Sequence, residues 1–228
     1  MTGADRDSGL GDVELRFFGE VTASISHELN NAIAIIDQTA GLLADLAAVG
    51  ECKNVAQDRL QRIIDTIDNQ ARRGATIVKK LNAFAHSVDA IDHEIELNEL
   101  AQNVVALAQR MAERRGVQLH SVPATTRIAI FGNLFRMQHA LFSSIRSVVS
   151  IAPEGSRIEV SAGLDDATPW VAVESDLVES SSNLDVQHLR PLIQQVGGEL
   201  DSKFGDGRIL IRLRFTNRPR PSQASQPR

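Results

Sequence analysis

Apolar residues recur every three or four positions in the first half of the chain and alternate in short runs in the second. Residues 13–48 contain no proline. At about 100° of rotation per residue, with Phe18 set at zero, Val21, Ile25, Leu29, Ala32, Ile36, Ala40, Leu43 and Ala47 all fall within roughly 60° of one direction, as an amphipathic helix requires. "VGECKN" then makes a turn at Gly50. Residues 53–88 are again free of proline and carry Leu60, Ile63, Ile64, Ile67, Ala71, Ala75, Val78 and Leu81 at helical spacing. Two long helices with a short loop predict an antiparallel hairpin. One hairpin buries only part of so wide an apolar face. Pairing with a second copy in a four-helix bundle is the natural solution, so a homodimer is expected.

The pattern changes near "DAIDHEIELNEL". Asn98 predicts a cap for a helix over 99–115. Strand-like runs follow at "GVQLHSV" and "TRIAIFG", then a helix over 133–150. "SRIEVSAGL" and "WVAVESD" come next, then a helix over 184–196 ending at Gly197 and Gly198, then "ELDSKFG" and "RILIRLRF". This order predicts about three helices on one sheet. The alternation in "RILIRLRF" predicts a strand with one face exposed. The expected organisation is a flexible N-terminus over 1–12, a helical hairpin over 13–90, an α/β sandwich over 97–216 and a disordered, proline-rich tail over 217–228. The class is α+β.

Composition narrows the function. With 228 residues, 43% hydrophobic and 23% charged, the chain has ordinary globular composition. A net charge of −5 leaves no broad basic footprint, so no nucleic-acid partner is expected. Cys52 is the single cysteine, which excludes an intramolecular disulfide and fits a reducing compartment. The polar start "MTGADRDSGLGD" does not read as a signal peptide, and no run reaches the ~18 apolar residues of a membrane span. A cytoplasmic chain without membrane contact is expected. His86, His93, His120, His139 and His188 show no metal-ligand spacing with one another or with Cys52, so surface or local structural roles and no bound metal are expected.

His27 is different. It falls at about 180° from the apolar stripe and points away from the core. Glu20, Ala23, Ser24, Asn31, Ala34 and Gln38 share its face, Asn31 lies one turn below, and Glu28 sits to the side, within reach of the imidazole edge. Small neighbours leave the ring sterically open to another protein. A neutral imidazole is a good nucleophile toward phosphorus. A carboxylate beside it can fix the tautomer, and an amide one turn away can orient a water or a phosphoryl oxygen. Geometry alone leaves an idle surface histidine open as well. Arg72, Arg73, Lys79 and Lys80 form a basic cluster on the second helix, either a solvated face or a surface for an acidic partner.

"SISHELNNAIAII" resembles the H-box of two-component sensor histidine kinases, with His27, Glu28 and Asn31 in the family's order and spacing. "QARRGATIVKKLNAFAHSVD" resembles the second helix of their dimerisation and phosphotransfer hairpin. The resemblance implies that His27 is the phosphorylated residue, Glu28 its acid/base partner and Asn31 a support for water attack. "GNLFRMQHALFSSIRSVVSIAPEGSRIEV", "HLRPLIQQVGGEL" and "GDGRILIRLRF" resemble parts of the family's ATP-binding domain, so the likeness covers about residues 13–216.

The departures matter as much. Ser143 and Ser147 stand where the family has two asparagines, one of them a Mg²⁺ ligand; a serine hydroxyl is shorter and a weaker ligand for a hard cation. The glycine-rich loops are missing: "ESDLVESSSNLDV" has no glycine, Asp176 is one position off the adenine-binding aspartate, and Asp185 near the last helix would repel phosphate. ATP-dependent autophosphorylation is therefore not expected. The expected function is a dimeric histidine phosphotransferase. Through His27 it would relay a phosphoryl group between the aspartates of response-regulator receiver domains. Mg²⁺ would be held by the receiver, with no cofactor or metal bound by this chain. Glu20, Ala23, Ser24, Ala34, Gln38, Arg72 and Arg73 would dock the partner. The alternatives are a response-regulator phosphatase or scaffold using Asn31, and a divergent active kinase.

Overall fold

A computed structural model of the chain describes residues 4–48, 57–89, 91–176, 186–205 and 207–216. The expected tail and the turn at Gly50 lie outside these residues. So do Cys52, Asp185 and most of "ESDLVESSSNLDV". The chain divides into two compact units, Phe18–His86 and Met1–Phe17 with Ser87–Arg228.

The first unit is the helical hairpin, formed by α1 (Ala4–Ala48) from Phe18 onward and α2 (Gln57–Val88) up to His86. Phe18 stacks on Phe84 with ring centroids 5.5 Å apart, and Leu29 lies against Gly74, so the two helices run antiparallel. On α1 the seam consists of Val21, Ile25, Ala32 and Leu46, all buried, with Phe18, Leu29, Ile36, Thr39 and Leu43 half-buried. From Phe18 to Leu46 these positions advance by about 3.5 residues per step, the heptad spacing of supercoiled helices. A straight helix at 3.6 residues per turn drifts off that seam. This corrects the expectation for Ala40 and Ala47, which are exposed while Thr39 and Leu46 take the inward places. On α2, Ile63, Ile77 and Phe84 are buried, with Ile67, Gln70, Gly74 and Leu81 half-buried. Leu60, Ile64, Ala71, Ala75 and Val78 were expected in the apolar face but are exposed in the single chain.

The helix begins at Ala4, upstream of the start expected at 13. The first proline of the sequence is Pro123, so none interrupts the helix. The boundaries at 13 and 90 also shift. Phe17 stacks on His139 at 4.5 Å and touches Phe135 and Phe142, while Glu14 pairs with Arg136 at 3.1 Å. Ser87 donates to Gln138. Both ends of the expected hairpin domain thus pack within the second unit.

That unit contains β1 (His93–Glu96), α3 (Leu97–Arg114), β2 (Gln118–Val122), β3 (Ala129–Gly132), α4 (Leu134–Ile151), β4 (Arg157–Asp165) and β5 (Thr168–Asp176). A single 3-10 turn (Gln187–Leu189) leads into α5 (Arg190–Gln195), followed by β6 (Gly198–Gly205) and β7 (Arg208–Phe215). The main sheet has the order β2-β4-β5-β7-β6, with β2 and β4 parallel and the other pairs antiparallel. Ile158, Val160, Val171, Val173, Ile209, Ile211 and Leu213 line one face of it and are essentially inaccessible, under the three helices. The opposite face of β7 carries Arg208, Leu210, Arg212 and Arg214, as the alternation predicts.

Three expectations are corrected here. One sheet was expected, but β1 and β3 form a separate antiparallel ribbon. β1 has only four residues and one buried side chain, Ile95, too short a period to read. The predicted cap Asn98 is not the cap. Glu96 holds that place and accepts from the Glu99 N–H at 2.8 Å, while Asn98 donates to Glu96 and accepts from the Ala124 N–H. Burial pushes the Glu96 pKa up, but the donors from Glu99, Asn98 and Ile128 outweigh it and hold the carboxyl below its ordinary value. The helix expected over 184–196 is shortened to the 3-10 turn and six residues of α5, with Pro191 in its first turn.

Candidate functional site

His27 lies in the middle of α1 and is exposed, on the side of the helix opposite Ile25, Leu29 and Ala32. The reason is local. Buried seam positions on either side fix the rotation of the helix, and a residue half a turn from them must face water. Asn31, one turn further, is also exposed, and Glu28 is half-buried at the flank. Glu20, Ala23, Ala34 and Gln38 are exposed and Ser24 is half-buried. The structure therefore brings together seven of the sequence-selected residues around His27 on α1: Glu20, Ala23, Ser24, Glu28, Asn31, Ala34 and Gln38. Among the described residues no side-chain hydrogen bond or ion pair engages His27, Glu28 or Asn31. The expected pairing of Glu28 with the imidazole is thus not formed as a hydrogen bond.

Arg72 and Arg73 are placed differently. Arg72 lies about 180° from Ile63 on α2, pointing away from the seam, and pairs with Asp68 at 2.9 Å. Arg73 is exposed beside it. Within one hairpin, Arg72 does not share the face of His27. Sequence spacing could not show this, because it fixes each helix's own face but not how two helices are turned toward each other.

In the second unit Ser143 and Ser147 of α4 are buried, at 1% and 6% exposure. Ser147 Oγ donates to the Ser143 carbonyl at 2.9 Å and lies 3.1 Å from Nε2 of His188. Neither hydroxyl stands open toward a ligand. The contact with His188 spans 41 positions and carried no signal in the sequence. Asp176 is exposed and pairs with Arg208 across the β5–β7 ladder at 3.1 Å. Gly197 has φ +70°, at the end of α5 where a side chain would be strained. Trp170 donates to Asp165, lies under the Arg212 guanidinium at 4.4 Å and covers Gly163. Among the described residues no group of three or more His, Cys, Asp or Glu side chains is placed to hold a metal ion. No described helix is long and apolar enough to cross a membrane.

Residues 19–88 match the family model of the His Kinase A (phospho-acceptor) domain, and His27 falls inside that segment. The Sensor protein DegM of Bacillus sp. (strain B21-2) is 26% identical over 142 residues, 62% of this chain and 34% of DegM. The aligned part thus spans about a third of that curated relative's length. Among solved structures, the Acinetobacter baumannii histidine kinase AdeS is 11% identical, covers 85% of this chain and 98% of its own, and gives a TM-score of 0.48. Histidine kinase ThkA in complex with response regulator protein TrrA is 18% identical, with 89% of this chain and 63% of that chain covered and a TM-score of 0.45. The phospho-acceptor match thus lies over the hairpin, and the likeness to the curated sensor protein extends over 142 residues.

Proposed function

We propose that this protein is a dimeric histidine phosphotransferase serving response-regulator receiver domains, without ATP-dependent autophosphorylation. The observation that carries this reading is the exposed His27 on a phospho-acceptor hairpin in a chain where the Ser147 hydroxyl of α4 is spent on Ser143 and His188. Those serines are a poor fit for a magnesium–nucleotide complex.

In the proposed step, a neutral imidazole nitrogen of His27 attacks the phosphorus of a receiver's aspartyl phosphate. The N–P bond forms as the P–O bond breaks, the aspartate leaves as carboxylate, and the ring's other N–H keeps its proton. The reverse reaction passes the group to an aspartate of a second receiver. Receiver-bound Mg²⁺ supplies charge neutralisation. Glu28 supports the reactive tautomer by turning toward the ring, and Glu20, Ala23, Ser24, Ala34 and Gln38 form the docking surface around it. This chain binds no cofactor, contacts neither nucleic acid nor membrane, and works in the cytoplasm.

Asn31 favours a second reading, a receiver phosphatase or scaffold, because its amide stands exposed one turn from His27 and can orient a water. The experiment separates the readings. Purified protein is mixed with one phosphorylated and one unphosphorylated receiver, and label is followed on all three proteins. His27→Ala is expected to lower transfer by on the order of 100-fold. Asn31→Ala is expected to leave transfer intact and slow receiver dephosphorylation by roughly tenfold. Unchanged transfer in His27→Ala overturns the relay. Acid-labile label on His27 from Mg-ATP alone assigns a divergent kinase instead.

A further inference from the structure

We propose that residues 217–220, which follow β7, dock on the cavity beside the β4–β5 turn, with Arg218 paired to Asp166. The site lies on the face of the main sheet away from the helices. It involves none of the residues assigned to phosphoryl transfer.

The cavity is open, has a volume of about 620 Å³ and is lined by Leu164, Asp165, Asp166, Thr168 and Arg214. Its charges are unequally engaged. Asp165 accepts from Trp170 at 3.0 Å and from Arg212 at 2.8 Å. Arg214 lies 3.7 Å from Asp165 and 3.8 Å from Asp201, so its positive charge is already offset. Asp166 is exposed and, among the described residues, has neither an ion pair nor a side-chain hydrogen bond. Leu164 is 50% exposed and supplies an apolar wall. Such a cavity fits a cation carried beside an apolar group.

The chain delivers that group at the right place. Trp170 faces Arg214 in the β5–β7 ladder, so Thr216 falls beside Thr168, and positions 217 and 218 fall level with the Asp166–Ala167 turn. At Thr216 the chain is still held beside β6, since its N–H donates to the Gly197 carbonyl at 3.3 Å. Side chains alternate along a strand. Arg208, Leu210, Arg212 and Arg214 face away from the helices, so position 218 belongs to the face on which Arg214 lines the cavity. The residues after Thr216 are Asn217, Arg218, Pro219, Arg220 and Pro221. A residue before proline favours the extended conformation, which keeps Arg218 in the alternation of the strand. Pro219 has no N–H to give the ladder, so pairing ends there and its ring is free to cover Leu164. An exposed ion pair is weak by itself, but no long loop has to close to bring Arg218 to Asp166.

The test uses the full chain. Trp170 is the sole tryptophan and sits in the ladder beside Arg214, so its emission reports on this cavity. A nitroxide, which quenches at short range, is attached to Ser222→Cys in a Cys52→Ser background. Docking is expected to hold the label near Trp170 and cause a loss of emission. The emission is expected to return in high salt, which screens an exposed pair, in Arg218→Gln, and in Asp166→Asn, where asparagine keeps the turn. Equal emission with and without these changes overturns the docking. Recovery in Arg218→Gln but not in Asp166→Asn overturns the pairing with Asp166. Labelled chain carrying Trp170→Phe is also mixed with unlabelled protein. A loss of emission there assigns the segment of a second copy to the cavity and overturns docking within one chain.

Discussion

His139 shows how burial sets the behaviour of one residue. Its ring is 4% exposed and stacks on Phe17 at 11° between planes. Burial, with the positive charge of Arg146 added, pushes its pKa from 6.5 down to about 4. The unfolded chain therefore takes up this proton near pH 6.5, and the folded chain only near 4. The stability due to the neutral ring is complete above about 6.5 and is withdrawn as pH falls toward 4, by at most roughly 3 kcal/mol. Urea unfolding of wild type and His139→Phe between pH 7 and 4 checks this. The variant keeps an aromatic ring and is expected to show a flatter slope across that window. His27, by contrast, is exposed and free of partners among the described residues. Its site was legible in the sequence because only one helix is needed to place His27, Glu28 and Asn31 together. The engagement of Ser147 with His188 was not legible, since that contact joins distant parts of the chain.

At the scale of elements, period and turn chemistry decide most outcomes. β4 and β5 are joined by two residues, Asp166 and Ala167, with φ +47° and +68°. Positive φ at both central positions is the conformation of a type I′ turn, whose twist matches that of the paired strands. Aspartate tolerates this well, while alanine adopts it at a cost, because its Cβ crowds the carbonyl. Ala167→Gly is expected to raise stability by about 1 kcal/mol, read as an increase in the urea midpoint with an unchanged slope. The strands themselves were legible because the alternation in "RILIRLRF" persists for eight residues. The ribbon strand β1 was not, because four residues with one buried isoleucine carry no period. The helices were legible, but their faces were read at 3.6 residues per turn, while packing selected about 3.5. That difference moved the inward places from Ala40 and Ala47 to Thr39 and Leu46.

At the scale of the whole molecule, the exposed stripe of the hairpin is the feature with a consequence for assembly. Ile64→Glu places a charge in the middle of that stripe and on no seam contact. It is expected to turn the proposed dimer into a monomer at micromolar concentration, by light scattering, while α-helical circular dichroism is retained. An unchanged dimer mass would locate the interface elsewhere. By itself the sequence determined most of the helices and strands, that a two-helix hairpin precedes an α/β layer, and that His27 faces away from its helix's apolar stripe. These follow from periodicity, which each element carries within its own residues. Only the tertiary structure decided which side of α2 faces α1, that β3 pairs with β1 outside the main sheet, that His188 closes on Ser147 and that Arg72 stands off the His27 face. Those depend on how separate elements are turned against one another. That rotation is fixed by side-chain packing between residues far apart in the chain, where spacing holds no record of it.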